Sequence, residues 1–249
     1  MLTSTACVPI ANGARVRHRP YFVLVGEDPV GTHIQFARPD GGATDGYLAT
    51  SGEGRPGIVV IQEWWGLNDQ ICGVADRFAR AGYNALAPDL YKGRLTSEAD
   101  EANHLMTGLN FPDATHQDLD GAVNYLKKKG DKVGVMGFCM GGALTIAVAA
   151  HVPNIAAAVC FYGIPSQEFA DPTKIRVPFQ GHFANKDDWC TPAKVDELEA
   201  ALKQGGIRHE IHRYEAAHAF FNERSSGYDV ASANLAWDRM AEFLKKSLA

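Results

Sequence analysis

The sequence predicts an α/β fold: a mostly parallel central sheet with helices on both faces. Two observations carry that expectation. Short β-prone runs alternate with helical patterns along most of the 249 residues, which is the rhythm of a parallel sheet built through crossover helices. Several of the runs, such as Ile58–Gln62 and Ile155–Tyr162, are apolar throughout, as strands covered on both faces must be.

Taken in order, Tyr21–Val25, Thr32–Ala37 and Gly46–Thr50 read as short strands separated by Gly, Pro and Asp, suited to an antiparallel edge. Ile58–Gln62 is a buried strand, with Glu63-Trp64-Trp65-Gly66-Leu67-Asn68 at its C-terminal end. A helix from about Asp69 to Ala81 ends at Gly82, where a capping glycine is expected. Asn84–Ala87 is the next strand and runs into Pro88-Asp89-Leu90-Tyr91. Helical patterns follow at Ser97–Leu109 and Asp113–Lys129, the second closed by Gly130.

Lys132-Val133-Gly134-Val135-Met136-Gly137-Phe138-Cys139-Met140-Gly141-Gly142 then carries a strand into a bend, and Ala143–Ala150 leaves it as a helix. The bend reads G-x-C-x-G. A nucleophile at such an elbow sits in a strained backbone, and side chains two residues to either side would collide. Its side chain stands clear of the sheet beside a helix N-terminus, where free N–H groups favour a thiolate and can hold an oxyanion. The plain alternative is a tight turn with Cys139 as a small buried hydrophobe; a strand before and a helix after favour the nucleophile. Ile155–Tyr162 and Val177–Phe183 are further buried strands. Pro192–Gln204 is a helix, Ile207–Tyr214 the last strand, and about Asp229 to Leu248 the last helix.

No internal repeat and no linker interrupts this pattern, so residues 21–249 are expected to form one domain behind an N-terminal extension, residues 1–20. Residues 1–26 hold Arg15, Arg17 and Arg19 and no acid, a faint likeness to an organelle-targeting leader, but a plain extension is the favoured reading. A formal charge of −5 with no block of like charges leaves no footprint for nucleic acid or an anionic membrane. No apolar run approaches the ~18 residues of a membrane span. The five cysteines are scattered and form no C-x-x-C pair, so neither a disulfide framework nor a zinc site is indicated, and a reducing, cytoplasmic setting is expected.

In a sheet of this kind the active site forms at the C-terminal ends of the strands. That rule selects the loops carrying Glu63-Trp64-Trp65, Cys139, Asp187-Asp188 and His218. A thiol nucleophile needs a base, and the base needs a residue to orient it. Of nine histidines, His218 is the one between the last strand and the last helix; His182, at a strand end, is its rival. The acid is expected in Asn185-Lys186-Asp187-Asp188-Trp189, where two adjacent aspartates leave the choice open. Nucleophile, acid, base is the chain order this topology calls for.

From about Gly46 onward the chain resembles the dienelactone hydrolase (carboxymethylenebutenolidase) family, a cysteine branch of the α/β-hydrolase fold. The resemblance rests on Gln62-Glu63 with Gly66-Leu67-Asn68, Ala87-Pro88-Asp89-Leu90-Tyr91, Gly137-Phe138-Cys139-Met140-Gly141-Gly142, Lys186-Asp187, and Ala217-His218 with Ser226-Gly227-Tyr228. It implies a Cys139–His218–Asp187 triad, with motif spacing selecting Asp187 over Asp188. It also implies that Glu63 takes the thiol proton once substrate binds, and that backbone N–H groups of Met140 and Trp64 form the oxyanion hole. A carboxylate beside Trp64 and Trp65 should have a raised pKa, which suits a transient base.

The chain departs from the family at the two arginines that hold the substrate carboxylate. One position is Asn222 here; the other falls near Asp100, where no arginine occurs, and neither Arg94 nor Arg224 takes a matching place. The expected activity is therefore hydrolysis of small neutral or aromatic esters or lactones through a Cys139 thioester, without metal or organic cofactor, by a monomer or homodimer. Trp64, Trp65, Tyr91, Phe220 and Asn222 are the expected substrate-binding residues. The same thiol could instead attack other electrophiles such as phosphotriesters, or the fold could bind a ligand without catalysis.

Overall fold

The structure is a computed structural model, and it describes residues 30–249. The expected extension at 1–20, its arginines and the strand Tyr21–Val25 lie outside the described residues.

Among the described residues, eight strands form one sheet: β1 (Thr32–Ala37), β2 (Ala43–Ala49), β3 (Gly57–Ile61), β4 (Asn84–Pro88), β5 (Val133–Phe138), β6 (Ala157–Phe161), β7 (Phe179–Lys186) and β8 (His209–Ala217). Their order is β1-β2-β4-β3-β5-β6-β7-β8. The β1–β2 and β2–β4 pairs are antiparallel, which gives the expected antiparallel edge. From β4 to β8 every pairing is parallel. This is the mostly parallel α/β sheet the alternating pattern calls for.

The helices are α1 (Asp69–Arg80), α2 (Ala99–Thr107), α3 (Phe111–Asp113), α4 (Asp120–Lys127), α5 (Met140–His151), α6 (Pro192–Gln204) and α7 (Val230–Ser247). They cover both faces, and β3 shows how. Ile58 and Val60 pack with α1 and α7 residues such as Phe78 and Trp237. Val59 and Ile61 point the other way, to Val123 of α4 and Leu144 of α5, as the period of two along a strand requires. Helix boundaries follow their caps. Asn68 accepts from the Ile71 N–H at 3.2 Å, and Asp229 accepts from the Ser232 N–H at 2.7 Å, each satisfying a free first-turn donor. Gly82, with φ +97°, takes the left-handed position after α1.

Three sequence expectations shift. The helix expected over Asp113–Lys129 is α3, a π-helical turn at Ala114–Leu119, and α4. The turn carries Asp118 inward, where Arg38 donates to it at 3.2 Å and Thr44 also donates. Gly130 is not a left-handed cap: it is glycine because a Cβ there would lie 2.0 Å from the Arg55 carbonyl oxygen.

The third shift matters most for the site. The outer strands β7 and β8 run three residues past the expected Phe183 and Tyr214, as a ribbon paired beyond the end of β6. Polar Asn185 and Lys186 hide this extension from a search for apolar runs. The ribbon ends with Lys186 paired to Ala217, after an irregularity between Ala184 and Lys186. Asp187 and His218 therefore leave the sheet side by side.

Candidate active site

Phe138 ends β5, and Cys139 turns the chain with φ 54° and ψ −115°. A positive φ is unfavourable for a residue with a Cβ and persists only where its surroundings fix it. Here the Cys139 N–H donates to the Phe161 carbonyl at 3.0 Å, and the Cys139 carbonyl accepts from Ala143 at 3.1 Å, opening α5. The flanking glycines are a matter of space. A Cβ on Gly137 would lie 2.3 Å from the Gly141 oxygen, and one on Gly141 would lie 2.5 Å from the carbonyls of both Ile61 and Gln62. Gly141→Ala is expected to push α5 off β3 and cost about 1–3 kcal/mol. Urea unfolding checks this: the midpoint should fall with the slope unchanged.

The Cys139 side chain opens into a cleft. Burial first, and the negative charge of Glu63 second, hold its thiol well above the ordinary cysteine value, against the opposing pull of the Met140 N–H. The resting sulfur is thus a neutral thiol, with one helix N-terminal donor already turned toward it.

His218 follows β8 directly. Its Nδ1–H donates to Asp187 Oδ2 at 2.7 Å, which leaves Nε2 as the free ring nitrogen. The other Asp187 oxygen accepts from the N–H groups of Trp189 and Cys190 at 2.8 and 3.0 Å. Burial works to raise the Asp187 pKa, but the His218 hydrogen bond and charge and the two N–H donors outweigh it. The carboxyl sits below its ordinary value. Asp188 is exposed and lines the cleft wall instead. The rival His182 is fully buried, bonded to the Tyr214 hydroxyl at 2.7 Å and Gln180 Oε1 at 2.9 Å, inside β7 rather than in the cleft.

Glu63 lies just past β3 and is 2% exposed. Asn222 Nδ2 donates to one of its oxygens at 2.6 Å and the Tyr162 hydroxyl to the other at 3.2 Å. Burial raises its pKa; the Asn222 bond, the His218 charge and the Tyr162 bond pull the other way without cancelling it. Tyr162 reaches it from an unusual backbone, φ 37°, pinned where its N–H donates to the His182 carbonyl at 2.9 Å. Sequence reading missed Tyr162, although the strand-end rule that selected the other loops applies equally to the end of β6.

The cleft has two lobes, of about 700 and 720 Å³, that share Cys139, Trp189 and His218. One is mixed in character and holds Glu63, Trp64, Trp65, Asn222 and Arg224. The other runs under Met106, Phe111, Ile164 and Phe169. Trp189 stacks edge-on against Trp64 with ring centres 5.7 Å apart, and Trp64 against Trp65 at 5.0 Å. Two expected wall residues are not there. Tyr91, 4% exposed, lies in the core with its hydroxyl 3.3 Å from Met140 Sδ. Phe220 is fully buried between Tyr162 and Tyr214. Both aromatic rings follow strand ends, but they turn back into the core. Among the described residues no cluster of His, Cys, Asp or Glu could hold a metal ion, and no helix is long and apolar enough to cross a membrane.

Comparison with known proteins gives a consistent answer. A family model described as the dienelactone hydrolase family matches residues 44–248. The Usf protein of Aquifex pyrophilus is 35% identical over 231 residues, covering 88% of this chain and all of that one. A candidate carboxymethylenebutenolidase of Aquifex aeolicus is 31% identical over the same length and coverage. Among solved structures, a candidate dienelactone hydrolase from Klebsiella pneumoniae superposes with a TM-score of 0.77 at 26% identity, covering 86% of this chain and 98% of that one.

Proposed function

The chain belongs to the dienelactone hydrolase family, and from that premise we propose that it hydrolyses small esters or lactones through a thioester on Cys139. The observation that carries this reading is the convergence of two features on one cleft. Cys139 stands at a strained strand–helix turn, and the hydrogen-bonded Asp187–His218 pair borders the same space.

In the proposed cycle, substrate enters and Glu63 gives up its present partners to take the thiol proton. The thiolate attacks the carbonyl carbon, and the N–H groups of Met140 and Trp64 receive the oxyanion. As the C–O bond breaks, the proton passes by way of His218 to the departing alkoxide, leaving a thioester. His218 then removes a proton from water, the hydroxide attacks the thioester, and the proton returns to sulfur. Asp187 keeps His218 in the tautomer this needs. No step calls for a metal or an organic cofactor.

The substrate is proposed to be a neutral or aromatic ester rather than an anionic dienelactone. Asn222 stands where the family's carboxylate-holding arginine is expected, and its amide is already spent on Glu63. Arg224 does line the same lobe, but its guanidinium lies 3.6 Å from the Asp69 carboxylate.

The test offers p-nitrophenyl acetate and cis-dienelactone to the protein and quenches the reaction for mass spectrometry. Turnover of the simple ester, with one acetyl group on the peptide bearing Cys139, is the expected result. Turnover of carboxylate-bearing lactones alone would overturn the substrate preference, and acylation elsewhere would overturn the mechanism.

A further inference from the structure

The lobe away from Glu63 borders Cys139, Met140 and His218, but the apolar wall beyond them has no role in the chemistry described so far. Its wall is assembled from four separate parts of the chain: Met106 of α2, Phe111 of α3, Ile164 and Phe169 after β6, and Ala143 in the first turn of α5. Phe111 and Phe169 meet edge-on, ring centres 5.6 Å apart. Met106, Phe111, Ile164 and Phe169 remain only half-buried, although each packs against a hydrophobic core cluster on its other side. Apolar side chains left half-covered around a concavity gain from an apolar occupant. The polar groups nearby do not contradict this. Lys194 directs its ammonium to the Trp189 carbonyl at 2.9 Å, and Asp188 is exposed.

The second lobe is more mixed. Asn68, Thr96, Ser97, Ser225 and Ser226 line it beside Glu63 and Arg224, together with Trp64, Trp65 and Leu95, so it offers the polar partners that water and a departing hydroxyl compound need. During deacylation the acyl group stays on sulfur while water arrives, so the two need separate spaces. We propose that the lobe under Met106, Phe111, Ile164 and Phe169 is the acyl subsite, and that the enzyme takes esters with an aryl or medium-chain alkyl acyl arm. A small lactone ring alone would leave this lobe unfilled. The assignment rests on Cys139 being the acylated residue, as proposed above.

Two series of esters test it. In the first, p-nitrophenyl acetate is extended through butanoate and hexanoate; in the second, the acyl group stays acetyl and the alcohol lengthens. Wild-type kcat/KM should rise with acyl length by up to about fourfold per methylene, the transfer gain of one buried CH₂, and change little with alcohol length. Phe111→Ser and Met106→Ser should flatten the acyl series, with circular dichroism and the stoichiometry of Cys139 acetylation confirming intact protein. A flat acyl series with Cys139-dependent turnover, or a rise confined to the alcohol series, would overturn the subsite and leave the mechanism standing. Turnover that persists in Cys139→Ala would overturn both.

Discussion

Cys139→Ala should lower kcat/KM for p-nitrophenyl acetate by roughly 10⁴-fold or more, the scale of losing a nucleophile from a set of groups that act as a unit. Any residue of activity would come from His218 and the backbone donors acting on water. Alanine keeps the Cβ that the elbow already tolerates, and it leaves Gly137, Gly141 and the Cys139–Phe161 backbone bond in place. The variant should therefore fold normally, with an unchanged near-ultraviolet dichroism spectrum, and show no acetyl adduct. Full activity in a folded Cys139→Ala protein would mean that the elbow is not the reacting centre.

Glu63→Gln should move two readouts in opposite directions. Turnover should fall by about 10²–10⁴-fold, the range of a lost general base. The reaction of Cys139 with iodoacetamide at fixed pH should become faster. The sign follows from the resting structure: after burial, the Glu63 charge is the next largest influence holding the thiol above its ordinary value. Removing that charge lets the thiol pKa fall, so more thiolate is present at any given pH. If both rates dropped together, Glu63 would be deprotonating the resting thiol rather than waiting for substrate. If turnover did not change, Glu63 would have no part in the proton transfer.

Much of this arrangement is legible in the sequence because local rules act alone there. Gly137 and Gly141 mark the elbow since nothing larger fits against neighbouring carbonyls. Asn68 and Asp229 mark helix starts since each caps its own first turn. Asp187 and His218 sit at strand ends, where the fold class leads one to look. What escapes is set by distant contacts. The extension of β7 and β8 depends on each pairing with the other rather than on apolar content. Tyr162 is chosen by a hydrogen bond to a residue 99 positions away. Tyr91 and Phe220 look like cleft aromatics in the sequence, yet packing turns both inward, and the half-buried wall of Met106, Phe111 and Phe169 comes from segments that sequence order alone does not bring together.

The position of β8 at the open end of the sheet has a consequence for how the enzyme ages and warms. Among the described residues the strand has a single neighbour, β7, and more than half of its own residues keep some contact with solvent. Outer strands of this kind open in local fluctuations that cost less than global unfolding. The proposed nucleophile, Cys139, in contrast, follows β5 in the middle of the sheet. The proposed acid and base, Asp187 and His218, leave from the last pair of strands and carry the local stability of an edge, while the sulfur and Glu63 carry that of the core. Fraying at that edge would separate His218 from Asp187 long before the elbow moved, leaving a molecule that is still folded, still holds its thiol, and no longer turns over.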